Sequence, residues 1–135
     1  VQLTPQIVRR IKEKYGYVSD TSDPVRVTFT NRGIPAEYDI TDIMRASCLK
    51  MTEPIAAAVQ ELVGSFDPDF QASLRENIVL AGGGSRLKGI DLAIEKSLRA
   101  YGGANAEIVQ DAEYCGCLGA LKMCVDMPEE YWERL

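Results

Sequence analysis

The chain has 135 residues, 46% of them apolar, with 20 acidic residues, 15 basic residues and no histidine, for a net charge of −5. That is one domain's worth of sequence with apolar content for a core; it lacks the overall positive charge of a nucleic-acid binder, and without histidine it excludes Ser-His and Cys-His catalysis. No run reaches the roughly 20 apolar residues of a transmembrane segment, and the N-terminal stretch with Gln2, Arg9 and Arg10 lacks the apolar centre of a signal peptide, so a soluble, cytoplasmic protein is expected.

The first residue is Val1, and a helix follows almost at once, which suggests part of a longer protein. Thr4-Pro5 supplies a cap and a first-turn proline, and Gly16 a stop. Between them Ile7, Val8, Ile11 and Tyr15 share a face, leaving Lys12 and Glu13 off the apolar stripe. Arg9, Arg10, Lys12 and Lys14 form the one local basic cluster, which reads as a solvated helix face. Val25, Val27 and Phe29 alternate with Arg26, Thr28 and Thr30, Asn31-Arg32-Gly33 turns, and residues 34–40 give a second strand, so a hairpin is predicted. Residues 41–66 return to helical spacing, with a kink or two abutting helices expected at Pro54 and Thr52 as a cap for the second piece. Asp67-Pro68 reads as a turn.

Residues 78–81 are a short unbroken apolar run, expected as a strand buried on both faces of a parallel sheet. "AGGGSRLKGI" follows, and Leu87, Ile90, Ile94 and Leu98 predict an amphipathic helix over 86–101 that ends at Gly102-Gly103. Residues 107–109 read as another strand and 114–125 as a last helix buried through Leu118, Leu121 and Val125, so the closing part is a strand-helix-strand-helix unit of an α/β fold. Residues 128–135 read as a short tail or terminal turn. Cys48, Cys115, Cys117 and Cys124 have neither redox nor zinc spacing and read as reduced thiols.

Three consecutive glycines between a strand and a helix put bare backbone at the carboxyl edge of a parallel sheet, where α/β folds bind ligands. If the helix starts at Ser85 or Arg86, its free N–H groups face the same crevice. Neither G-x-G-x-x-G nor the P-loop pattern fits, because Leu87 and Ile90 stand where glycine and lysine are required. On this stretch alone a tight turn with no ligand is an equal reading.

"NIVLAGGGSRLKGI" resembles the adenosine-binding turn of the actin, sugar kinase and 70-kilodalton heat-shock ATPase superfamily, and "PQIVRRIKEKYGYV" resembles the actin helix whose lysine-glutamate pair flanks adenosine. Within the superfamily the chain is similar to bacterial filament-forming actin-like proteins, in particular those that organise magnetosomes. The resemblance runs over nearly the whole chain and is weakest over 18–38. It implies an actin-like, RNase H-like ATPase fold of which this is the C-terminal portion of the second lobe, with residues 1–50 in an outer subdomain and 51–135 in an inner one. It further implies that Lys12 and Glu13 border base and ribose, that Gly82, Gly83 and Gly84 form a floor against the adenosine and inner phosphate, and that Arg86 lies over the base. Ser85 is expected as a helix cap, and Gly119-Ala120 as a small pair packed closely on the sheet. The implied cofactors are ATP and magnesium. The implied partners are further copies in a filament, the N-terminal part of the same fold, and magnetosome adaptor proteins. The family's phosphate hairpins and magnesium-binding aspartates have no counterpart in these residues, so the chain by itself is expected to be inactive in ATP hydrolysis. A sugar kinase of the same superfamily and a stand-alone interaction module are the rival readings.

Overall fold

A computed structural model describes residues 3–20 and 23–132. Helix α1 (Pro5–Tyr15) starts as the sequence dictates, with the Thr4 hydroxyl accepting from the Ile7 N–H at 3.3 Å. Strands β1 (Arg26–Asn31) and β2 (Ile34–Asp39) pair antiparallel with Arg26 opposite Asp39, and Phe29 and Tyr38 bring their rings to 5.7 Å on one face. Arg32 and Gly33 both take positive φ at the turn.

Helices α2 (Thr41–Leu49) and α3 (Thr52–Gly64) are two abutting helices rather than one kinked one. The break falls at Lys50-Met51, which leaves Pro54 in the first turn of α3, where its missing N–H costs nothing. Thr52 is not the cap expected of it: it lies inside α3, buried, and its hydroxyl donates back to the Leu49 carbonyl at 2.8 Å, stitching the two helices. Asp67-Pro68 opens a further helix, α4 (Pro68–Arg75), with the Asp67 carboxylate accepting from the Asp69 N–H at 3.1 Å.

Strand β3 (Ile78–Leu80) pairs in parallel with β4 (Ala106–Ile108), Ile78 opposite Ala106. Between them runs α5 (Ile90–Leu98), shorter than the periodicity predicts. Gly89, at φ 80°, interrupts the backbone before it, and residues Gly83–Arg86 form a 3-10 turn instead of helix. Gly102 and Gly103, both at positive φ, close the segment after a second 3-10 turn, Arg99–Tyr101. Ile94 and Leu98, each 1% exposed, centre the core with Val18, Cys48, Ala56, Leu87 and Ile90. This places the core between α3, α5 and the β3–β4 ribbon.

Two burial expectations fail. Val79 is 63% exposed, so β3 is covered on one face and not on both. Helix α6 (Cys115–Asp126) is unburied: Leu118, Leu121 and Val125 are 51%, 61% and 75% exposed, and both Gly119 and Ala120 face solvent with nothing within 4 Å of where a Gly119 Cβ would sit. The apolar pattern of α6 records a face made for burial; among the described residues no element covers it. All four cysteines are free. A short helix α7 (Glu129–Trp132) follows α6; the end of the expected tail, 133–135, lies outside the described residues.

Candidate functional site

The glycine turn is built by three hydrogen bonds. The Gly82 N–H donates to the Ala112 carbonyl at 2.6 Å, tying the end of β3 to the loop after β4. Its carbonyl in turn accepts from both the Ser85 N–H at 3.1 Å and the Ser85 hydroxyl at 2.7 Å. Ser85 is therefore a buried internal clasp of the turn; it cannot cap α5, which begins five residues later at Ile90. The same displacement withdraws the α5 N-terminus from the turn, so no helix dipole is aimed at it from Ser85 or Arg86.

What the turn offers instead is bare main chain. Gly82 sits at φ 84°, a conformation that favours glycine, and nothing lies within 4 Å of where Cβ atoms would project from Gly82 and Gly84. At Gly83 the nearest atoms to such a Cβ are those of the Glu113 side chain, at 3.9 Å. Gly83 and Gly84 are exposed.

Helix α1 reaches this turn through its C-terminal end. Gly16 donates to the Lys12 carbonyl at 2.7 Å, and the next residues run beside 88: Tyr17 bridges Lys88 in parallel and the Val18 N–H donates to the Lys88 carbonyl at 2.9 Å. Gly16 is required by approach rather than by dihedral angle, since its φ of −63° is ordinary while a Cβ would meet the Lys12 oxygen at 2.5 Å and Leu87 Cδ2 at 2.6 Å. Tyr17 and Val18 are buried, and the Tyr17 hydroxyl donates to the Thr41 carbonyl at 3.0 Å, so this seat is fixed from both sides.

The charged rim follows from that seat. Glu13 accepts from Arg9 Nε at 2.7 Å, one helical turn back. That hydrogen bond holds its carboxyl below the usual carboxylate range against slight desolvation, with the charges of Arg9, Lys12 and Arg86 adding to the effect. Arg86, 73 positions away in the chain, is the smallest of the contributions that favour the Glu13 carboxylate. Arg86 itself is held by Glu113, Nη1 to Oε2 at 2.6 Å. Lys12 is exposed beside Glu13 on α1 and has no ion pair among the described residues.

Of the six expected positions, Lys12 and Glu13 lie on α1, whose end is seated on residues 87–88, and Gly82, Gly83, Gly84 and Arg86 lie in the turn that precedes that seat. Sequence reading missed Glu113, which flanks Gly83 and fixes Arg86 from 27 residues away, and Arg9, for which the i,i+4 spacing to Glu13 was an available signal. Among the described residues no group of His, Cys, Asp and Glu is arranged to hold a metal ion, and no helix is long and apolar enough to cross a membrane.

Comparison with known proteins gives the context of this geometry. No protein-family model matches the chain. Over all 135 residues it is 32% identical to actin-like protein MamK of Paramagnetospirillum magneticum and 31% identical to actin-like protein MamK of Magnetospirillum gryphiswaldense. It spans 39% and 38% of the lengths of those two relatives. Among solved structures, a MamK double helical filament superposes with a TM-score of 0.89 at 31% identity, covering 95% of this chain and 39% of that one. A non-polymerising MamK mutant bound to AMPPNP superposes at 0.84 and 30% identity, covering 93% of this chain and 39% of that one. By sequence and by fold, the chain is therefore actin-like, similar from end to end to the MamK proteins.

Proposed function

We propose that this chain forms the adenosine side of the ATP site of a filament-forming actin-like ATPase that organises magnetosomes or a comparable cytoplasmic cargo. The observation that carries the reading is the seat of α1, the helix of Lys12 and Glu13, on residues 87–88, directly after the bare turn of Gly82, Gly83 and Gly84. In this reading Glu13 accepts from the ribose hydroxyls, Lys12 and Arg86 flank the base, and the three glycines let the nucleoside lie against main chain, with Glu113 orienting Arg86. Residues 1–50 act as the outer subdomain and 51–135 as the inner one. Magnesium and the outer phosphates are held by other parts of the fold, together with the groups that position the γ-phosphate for transfer. The similarity to a MamK bound to AMPPNP supports the choice of an adenine nucleotide, and that to a MamK filament supports self-association over the sugar-kinase reading. Adaptor proteins of the cargo membrane would then bind the polymer.

The test is an amide-resolved NMR titration of the chain with adenosine, ADP and guanosine. Saturable shifts at Gly82 to Gly84 and at Glu13 with adenosine and ADP, lost in Gly84→Val, are expected, because a valine there fills the space the ring would occupy. Shifts absent from α1 or from the turn would refute the shared site.

A further inference from the structure

Away from the glycine turn, α3, α4 and the end of α5 enclose a hollow of about 210 Å³ whose lining includes Val59, Val63, Gln71, Arg75, Leu98 and Tyr101. It is smaller than the roughly 300 to 1,000 Å³ of sites that enclose a whole small-molecule ligand, and suits one large side chain. Its floor is apolar, from Val63 and Leu98, both buried. Its wall carries Arg75, half-buried, with no hydrogen bond or ion pair from its guanidinium among the described residues. That group lies over Gly102, at φ 100°, where a Cβ would stand 3.4 Å from Cζ, Nε and Nη2. Leu62 on α3, Phe70 on α4 and Phe66 between them are exposed. A half-buried arginine beside an apolar hollow with exposed aromatics nearby is the composition of an interface anchor.

The complementary surface is on the chain itself. Helix α7 presents Glu129 and Glu130, exposed and without an ion pair among the described residues, followed by Trp132, 46% exposed. We propose that the hollow receives Trp132 of a second copy of this chain, with Glu129 or Glu130 of that copy pairing with Arg75. The donor and the acceptor are different surfaces, so the contact is heterologous and can repeat from copy to copy. The choice of partner rests on the self-association proposed above; the experiment does not.

A fluorescein-labelled peptide of sequence DMPEEYWERL, residues 126–135, is titrated into the chain and followed by anisotropy. Saturable binding is expected, weakened about tenfold or more in Arg75→Glu, with a smaller loss in Arg75→Gln, each variant first checked for native circular dichroism. A peptide carrying lysine in place of Glu129 and Glu130 should regain affinity for Arg75→Glu. Absence of saturable binding, or binding indifferent to both Arg75 variants, overturns the contact. Filaments seen by electron microscopy without peptide binding would overturn this contact and leave the filament reading standing; peptide binding without filaments would do the reverse.

Discussion

Replacing Gly16 by alanine isolates the seat of α1 on the glycine-turn segment. Because φ is −63°, alanine meets no backbone strain there, and the reduced freedom of the unfolded chain alone would favour it by about 0.4 to 1 kcal/mol. Against this, the new methyl would stand 2.5 Å from the Lys12 carbonyl oxygen and 2.6 Å from Leu87 Cδ2. Leu87 can rotate away, but the oxygen is backbone and already accepts from residue 16, so the helix end must move. Overpacking of this kind costs about 1 to 3 kcal/mol, and the net expectation is a loss of about 1 to 2 kcal/mol. Urea denaturation of Gly16→Ala beside Gly64→Ala measures it. Gly64 lies in α3 with nothing within 4 Å of its Cβ position, and alanine there should stabilise by about 0.5 to 1 kcal/mol. If the two variants shift stability in the same favourable direction, the close approach of α1 to the turn is wrong. Adenosine affinity should fall with Gly16→Ala and be unchanged in Gly64→Ala.

Four other outcomes are expected. Leu98→Ala, at the centre of the core and 1% exposed, should lose about 2 to 5 kcal/mol in the same denaturation assay. Ser85→Ala removes a hydroxyl that donates to the Gly82 carbonyl, which should cost about 0.5 to 1.5 kcal/mol and broaden the Gly82 to Gly84 amides in NMR spectra. The Glu13 carboxyl, with its pKa lowered chiefly by the Arg9 hydrogen bond, should contribute stability that is present above the unfolded carboxylate pKa and fades as pH falls through the lower folded value; carbon-13 titration should show this depression relaxing toward the ordinary value in Arg9→Gln. Malachite-green assay of the chain with magnesium and ATP should give no phosphate release above background.

Local patterns carried much of the fold. The alternation of Val25, Val27 and Phe29 was enough for the hairpin, and Thr4-Pro5 for the start of α1, because both signals are complete within a few residues. Asp67-Pro68 was misread because the same pair that makes a turn also caps a helix, and only the packing of residues 68–75 decides between them. The spacing of Leu87 and Ile90 concealed the break at Gly89: both leucine and isoleucine are buried, yet a left-handed glycine stands between them. The exposure of α6 and of Val79 was illegible for another reason, since an apolar pattern marks a face suited to burial without stating what covers it. At the site, the glycines and the Lys12-Glu13 pair were visible by resemblance, whereas Glu113 was not, because no spacing rule connects it to Arg86.

Photolabelling with 8-azido-ATP, followed by peptide mapping, tests the central claim most directly. Labelled peptides should come from both α1 around Lys12 to Lys14 and the segment 82–86, with unmodified ATP protecting the two together. Labelling confined to one of them, or protection of one without the other, would contradict a single purine site shared by the helix and the turn.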